Sequence, residues 1–210
     1  MRLVLASASP ARIATLTSAG IRAEVKVSGV DEDAALAAAH ARRGRASAAD
    51  DVVVLAQAKA ESVAADLGTG VDVVVLGCDS MLELDGLTYG KPPTPADAVE
   101  RWRLMRGRSG VLHTGHWLVD LRPTVPVGTG RTASTTVHFA DLSDAEIEAY
   151  VATGEPLAVA GAFTVDGLGG PFVTGIEGDY HTVVGISLPL LRDLLGEIGV
   201  TVPELWGPRT

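Results

Sequence analysis

The run Val73-Val74-Val75-Leu76-Gly77-Cys78-Asp79-Ser80 decides how the rest of the chain is read. Four consecutive large apolar residues, three of them β-branched, form a strand buried on both faces, as the central strands of α/β sheets are. An acid and a hydroxyl follow at once. Asp79 is therefore expected at the C-terminal end of that strand, the edge where open α/β sheets bind ligands. Just upstream, helical periodicity over 50–67 sets Val52, Leu55 and Val63 at i−7, i−4 and i+4 from Lys59, which puts Lys59 on the inward face. An ammonium there must snorkel outward or meet an anion. Just downstream a strand resumes over 81–84, and Asp85-Gly86 between Leu84 and Leu87 is a hairpin signal, so the sheet is expected to be mixed.

Further out, strand patterns fall at 2–6, 22–28, 111–121, 131–140 and 171–176, and helical patterns at 10–19, 34–43, 95–106, 143–152 and 187–198. Arg122 to Gly130 reads as a loop between two long strands. Ser143-Asp144-Ala145-Glu146 has the spacing of a capping box. Strands interleaved with helices define an α/β class. No repeat or linker-like stretch divides the chain, so residues 1–210 are expected to form a single domain.

Composition narrows the function. The 210 residues carry 17 basic and 26 acidic side chains, a formal net charge of −9, which offers no general attraction for nucleic acid or an anionic membrane. The single cysteine, Cys78, excludes a disulfide framework and a cysteine zinc site; following a buried strand, it reads as a small core residue. No apolar run reaches the ~20 residues that span a bilayer. Met1 to Ala6 reads as a first strand rather than a leader, so a cytoplasmic location is expected. Only three cations are lysines (Lys26, Lys59 and Lys91), and asparagine is absent, a bias that GC-rich codon usage would produce.

Several stretches could hold chemistry. In Leu5-Ala6-Ser7-Ala8-Ser9-Pro10-Ala11-Arg12, a strand runs into a Ser cap and a Pro at a first helical position. The free N–H groups of such a helix start, with Ser7, Ser9 and Arg12, would suit an anion; the alternative is a capped helix with an exposed arginine. It is not a Walker loop, because the glycines and the Gly-Lys-Ser/Thr are missing. Asp79 would suit a divalent metal or the activation of water, or simply a turn. Tyr89-Gly90-Lys91-Pro92-Pro93 sets a lysine in a rigid turn. Val30-Asp31-Glu32-Asp33 is an acidic cluster, Gly167-Leu168-Gly169-Gly170 is a pliant backbone stretch, and Arg42, Arg43 and Arg45 read as a solvated helix end.

Taken in order, these stretches resemble the Maf family of nucleoside triphosphate pyrophosphatases. The match runs through Leu5 to Arg12, Val30-Asp31-Glu32, Leu55-Ala56-Gln57-Ala58-Lys59-Ala60, Gly77-Cys78-Asp79-Ser80 and Gly90-Lys91-Pro92. It continues through Tyr150, Glu155-Pro156-Leu157, Ala160-Gly161-Ala162-Phe163, Gly167-Leu168-Gly169 and Val183-Val184-Gly185. The resemblance implies an elongated mixed β-sheet flanked by helices, two lobes with a cleft, similar to inosine triphosphate pyrophosphatase. It implies cleavage of a nucleoside triphosphate to monophosphate and pyrophosphate with a divalent metal, Mg²⁺ or Mn²⁺. By position, Asp79 would be the proton acceptor, and Glu32 would join it near the metal. Ser7, Ser9, Arg12, Lys59 and Lys91 would face the triphosphate. Ser80 and Asp166 fall where branches of the family differ in substrate. The branch acting on dTTP and UTP has threonine and glutamine at these two positions. The branch acting on 7-methyl-GTP has an acid where Asp166 stands, but a tryptophan where this chain has Ala11. The resemblance therefore implies no single base. It further implies a homodimer and a link to arrest of septum formation. A nucleotide-binding septation regulator with incidental catalysis is the rival reading; a flavodoxin-like redox domain would need a dinucleotide fingerprint that is missing.

Overall fold

A computed structural model describes residues 1–44 and 46–206. The chain forms a mixed α/β fold around a seven-stranded sheet. The strands are β1 (Arg2–Leu5), β2 (Glu24–Val25), β3 (Val73–Leu84), β4 (Leu87–Tyr89), β5 (Ser109–Asp120), β6 (Val127–Phe139) and β7 (Val173–Glu177). The helices are α1 (Pro10–Ser18), α2 (Glu32–Arg43), α3 (Ala48–Leu67), α4 (Pro95–Met105), α5 (Asp144–Ala152), α6 (Tyr180–Val184) and α7 (Leu188–Glu197). The strand order is β2-β1-β3-β5-β6-β7, with β4 on the free side of β3. The pairs β1–β2 and β1–β3 are parallel and the rest antiparallel, so the sheet is mixed as expected.

One expectation fails, and the failure is informative. The segments 72–77 and 81–84 are one twelve-residue strand, and Asp79 lies in its middle rather than at its end. Pairing with β5 holds without a break from Val74↔Asp120 to Glu83↔Val111, which keeps the backbone extended through the polar residues. The other side of β3 is shared. Pairing with β1 stops at Leu76 and pairing with β4 starts at Leu82. Between them the strand has an open edge, and Asp79 and Ser80 occupy it.

The core divides at the same place. Leu3, Leu5, Val74, Leu76 and Cys78 pack with α1 and α7 at one end of β3. Leu82, Leu84, Trp102, Phe139, Tyr150 and Phe163 pack at the other, with Trp102 edge-to-face against Phe139, Tyr150 and Phe172. On the opposite face α3 covers Val73, Val75 and Val119. Smaller expectations have mixed outcomes. The capping box at Ser143 and Glu146 is formed, β2 shrinks to two residues, and β6 starts at Val127, which shortens the expected loop. The five-residue α6 carries no periodicity long enough to be seen in sequence. Arg42 is exposed at the end of α2, and Arg45 lies outside the described residues.

Candidate functional site

Helix α3 lies unusually close to the sheet because the strand residues beneath it are glycines. A Cβ on Gly77 would sit 2.1 Å from the Ala56 carbonyl oxygen, and one on Gly115 would sit 2.2 Å from that of Val52. This approach brings Lys59, on the inward face of α3, to Asp79 on β3. The Lys59 Nζ donates to Asp79 Oδ1 at 2.6 Å and contacts Glu32 Oε1 at 2.7 Å. The buried lysine therefore meets anions instead of snorkelling. Lys59 and Asp79 are each 12% exposed at the side chain and Glu32 is 53% exposed, so the cluster opens toward solvent through α2. Burial pushes the Asp79 carboxyl above the usual carboxylate range; Lys59 and Arg12 oppose that push and Glu32 adds to it. Among the described residues Asp79 Oδ2 has no protein partner, which leaves it able to accept from water.

Arg12 closes the open edge of β3. Its Nε donates to the Gly185 carbonyl at 3.0 Å, Nη1 to Ser7 Oγ at 3.1 Å and to the Cys78 carbonyl at 2.8 Å, and Nη2 to Ser80 Oγ at 3.1 Å. Four of its donations thus go to protein acceptors, and the arginine ties α1, β3 and α6 together. Ser80 continues the network to Thr114 Oγ1, which donates to the Thr182 carbonyl. Ser7 accepts from the Ser9 amide, and Ser9 accepts from the Arg12 amide as the N-cap of α1. Cys78 is fully buried and its thiol is pushed up to about 12, so it is core and not nucleophile, as its sequence context suggests.

The structure therefore brings Ser7, Arg12, Glu32, Lys59, Asp79 and Ser80 together, while Ser9 serves its own helix. Lys91 and Asp166 stand apart, both exposed and without ion pairs among the described residues. Lys91 does follow β4, which runs antiparallel to β3 back toward the Asp79 end. Asp166 lies near Tyr180, whose hydroxyl is pushed up by burial first and by that carboxylate second. Its loop is held by Glu155, which accepts from Tyr150 Oη at 3.0 Å, from Thr164 Oγ1, and from the amides of Leu168 at 3.0 Å and Gly169 at 3.1 Å. Burial works against the Glu155 charge, but these donors hold its carboxyl below the usual range. Thr114 and Glu155 have no local sequence signal for these roles, because their partners are set by pairing across the sheet and by loop closure. Two concavities of about 300 and 470 Å³ lie elsewhere, beside Ala64 and Val119 and beside Gly196 and Pro203; neither touches Asp79.

One further buried group supports the site from below. His116 Nδ1 donates to the Thr114 carbonyl at 3.0 Å, and Nε2 accepts from the Ser187 amide at 2.8 Å, which requires the neutral ring. Burial pushes its pKa down to about 4. The unfolded chain, with an ordinary histidine near 6.5, binds the proton first as pH falls. Stability conferred by this residue is therefore full above pH 6.5 and declines toward pH 4, by about 2–3 kcal/mol at pH 4.5. Unfolding free energies from urea titrations at pH 7 and 4.5 should diverge by that much more in the wild type than in His116→Gln. Equal pH dependence in the two would rule the histidine out as the cause.

No group of three or more His, Cys, Asp or Glu that could hold a metal occurs among the described residues. Glu32 and Asp79 nonetheless converge on a single cationic atom, which is how two carboxylates would share a hard cation whose other ligands are phosphate oxygens and water.

Comparison with known sequences agrees with the geometry. The profile of the Maf family, described as Maf-like protein, matches residues 2–198. A protein of Salinispora tropica is 56% identical over all of this chain and 89% of its own length. One from Leifsonia xyli is 54% identical over 98% of the chain and 97% of its own length, and one from Nocardia farcinica 56% over 97% and 96%. Each is named nucleoside triphosphate pyrophosphatase. With the match spanning nearly every element of the sheet and its site, this chain belongs to the Maf family.

Proposed function

We propose that the protein hydrolyses nucleoside triphosphates to the monophosphate and pyrophosphate, the activity for which its relatives are named. The observation that carries this reading is the buried Lys59 held between Asp79 and Glu32 on the open edge of β3. A binding protein has no need of a buried carboxylate beside the phosphates of its ligand, whereas a hydrolase needs a base there. Asp79 Oδ1 is anchored by Lys59, and Oδ2 accepts the proton of a water attacking the α-phosphorus. The α–β anhydride bond breaks, and its electron pair leaves with pyrophosphate. Lys59 and Lys91 offset phosphate charge, with Ser7, Ser9, Arg12 and Ser80 lining the approach and Asp166 on the loop that meets the base. Glu32 and Asp79 would hold a divalent cation, Mg²⁺ or Mn²⁺, which when bound supplies charge neutralisation for the phosphates.

Residues 1–210 then work as one unit, two lobes sharing β3, with the nucleotide between them. No helix among the described residues is long and apolar enough to cross a membrane. We place the enzyme in the cytoplasm, where nucleoside triphosphates are found, and as a homodimer. Purified protein with Mg²⁺ or Mn²⁺ should release pyrophosphate from at least one member of a nucleotide panel that includes 5-methyl-UTP and 7-methyl-GTP. Absence of pyrophosphate from the whole panel would sink the reading.

A further inference from the structure

Glu155 is half-buried, and its carboxylate is given over to tying down one loop. Its Oε1 accepts from Tyr150 Oη at 3.0 Å, from Thr164 Oγ1 and from the Gly169 amide at 3.1 Å, and its Oε2 accepts from the Leu168 amide at 3.0 Å. The Tyr150 hydroxyl, in the aromatic core, accepts in turn from the Thr164 amide at 3.2 Å. The backbone wraps this carboxylate closely enough to require glycine. A Cβ on Gly167 would stand 2.6 Å from Glu155 Oε2, and one on Gly169 would stand 2.4 Å from Tyr150 Oη. Both ends of the segment 164–169 are thus held by one side chain, and Asp166 lies exposed between them.

The surroundings of Asp166 give this clamp a consequence beyond stability. Its carboxylate is close to Tyr180, the first residue of α6, which is 44% exposed. Helix α6 is pinned along its length. Thr135 Oγ1 donates to the Asp179 carbonyl at 3.0 Å, Thr114 Oγ1 to that of Thr182 at 2.9 Å, and Arg12 Nε to that of Gly185 at 3.0 Å. At about 1.5 Å of rise per residue, its Tyr180 end and its Arg12 end lie roughly 7 Å apart. That separation is comparable to the reach of a nucleoside from base to α-phosphate. An exposed acid and an exposed aromatic ring therefore stand one nucleoside length from Arg12.

We propose that Glu155 is a positioning residue that sets the choice of base by holding Asp166 in place beside Tyr180. The inference rests on the pyrophosphatase reading, with the base toward Asp166, and deepens it. A loop containing Gly167, Gly169 and Gly170 has little rigidity of its own. Discrimination between bases needs polar groups held where a wrong base leaves them unpaired. Glu155 supplies that fixity through the loop, without contact to the nucleotide.

The test compares wild type with Glu155→Gln in steady-state pyrophosphate release across a nucleotide panel. Calorimetric titration with two nucleoside monophosphates of different base, and with inorganic pyrophosphate, runs beside it. Glutamine keeps the shape but turns an amide NH₂ toward either the Leu168 amide or the donors on Oε1, which frees one end of the loop. For the best substrate KM should rise about 10-fold with kcat within about threefold, and its kcat/KM advantage over the next should shrink about 10-fold. The affinity ratio of the two monophosphates should narrow while pyrophosphate binding stays unchanged. A folded Glu155→Gln that keeps the wild-type ratios, or lowers kcat/KM for every nucleotide by one factor, overturns the proposal. If Glu155→Gln does not fold, Thr164→Val, which removes a donor, and Thr164→Ser, which keeps it, replace it. Valine should blunt discrimination and serine should preserve it; equal ratios in the two overturn the proposal. A wild type that releases no pyrophosphate from any nucleotide sinks the pyrophosphatase reading, and the monophosphate ratio then decides the role of Glu155 by itself.

Discussion

Asp79→Asn should lower the rate of pyrophosphate release by about 10²- to 10⁴-fold and leave the protein as stable as before, or slightly more so. The two halves of this expectation come from the same geometry. Asparagine keeps the shape of the side chain and an oxygen to accept from Lys59 Nζ, which lies 2.6 Å from Oδ1. What it loses is the capacity to take a proton from water. Stability need not suffer, because burial already disfavours the ionised carboxylate, whose pKa stands above the ordinary value. Removing a charge that the fold holds reluctantly relieves strain that function required. A purely structural aspartate predicts the reverse, a drop in melting temperature with activity lost only in proportion to the unfolded fraction.

The pH profile adds a second signature. The acid limb of kcat/KM should lie above the range of a free aspartate, since the carboxyl must be ionised to act as base. Lys59 is the nearest group that opposes the upward push of burial. Lys59→Met should therefore move that limb to still higher pH, in addition to weakening the triphosphate complex. An acid limb that does not move would mean that some other carboxylate is the base.

Much of this site could be read from the chain itself, and the boundary between what could and what could not has a physical cause. The inward face of Lys59 follows from neighbours at i−7, i−4 and i+4, and the cap at Ser9 follows from the Pro and Arg after it, both local signals. The position of Asp79 did not follow. Polar residues after an apolar run look like a strand end, yet β3 continues because its partner β5 is unbroken and its other edge is open where they fall. Arg12 shows the same limit. Its partner Gly185 is 173 residues away, and no local periodicity distinguishes an arginine that staples three elements from one exposed on a helix. Thr114 and Glu155 likewise acquire their roles only from register and loop closure.

Gly77→Ala should be among the most damaging methyl groups that can be added to the described residues without touching a polar side chain. The new Cβ would lie 2.1 Å from the Ala56 carbonyl oxygen and 2.9 Å from the Ala60 nitrogen. Both are helix backbone, so no rotamer change relieves the clash, and α3 must lift from the sheet as a body. Overpacking of this kind costs about 1–3 kcal/mol or more. The same displacement carries Lys59 away from Asp79, because the lysine stands one residue before Ala60. A misplacement of about 1 Å in a catalytic constellation can lower activity by about 100-fold. The loss of activity should therefore exceed what unfolding alone explains, and the folded fraction of the variant should itself be slow. Gly196→Ala, on α7 with nothing within 4 Å of the added Cβ, is the matched control. There the methyl group should raise stability by about 0.5–1 kcal/mol through the backbone entropy of the unfolded chain, with activity untouched. One substitution chemistry thus gives opposite signs at two sites, read by denaturant midpoint and by rate. If the two variants behaved alike, the close seat of α3 on β3 would not be what brings the lysine and the aspartate together.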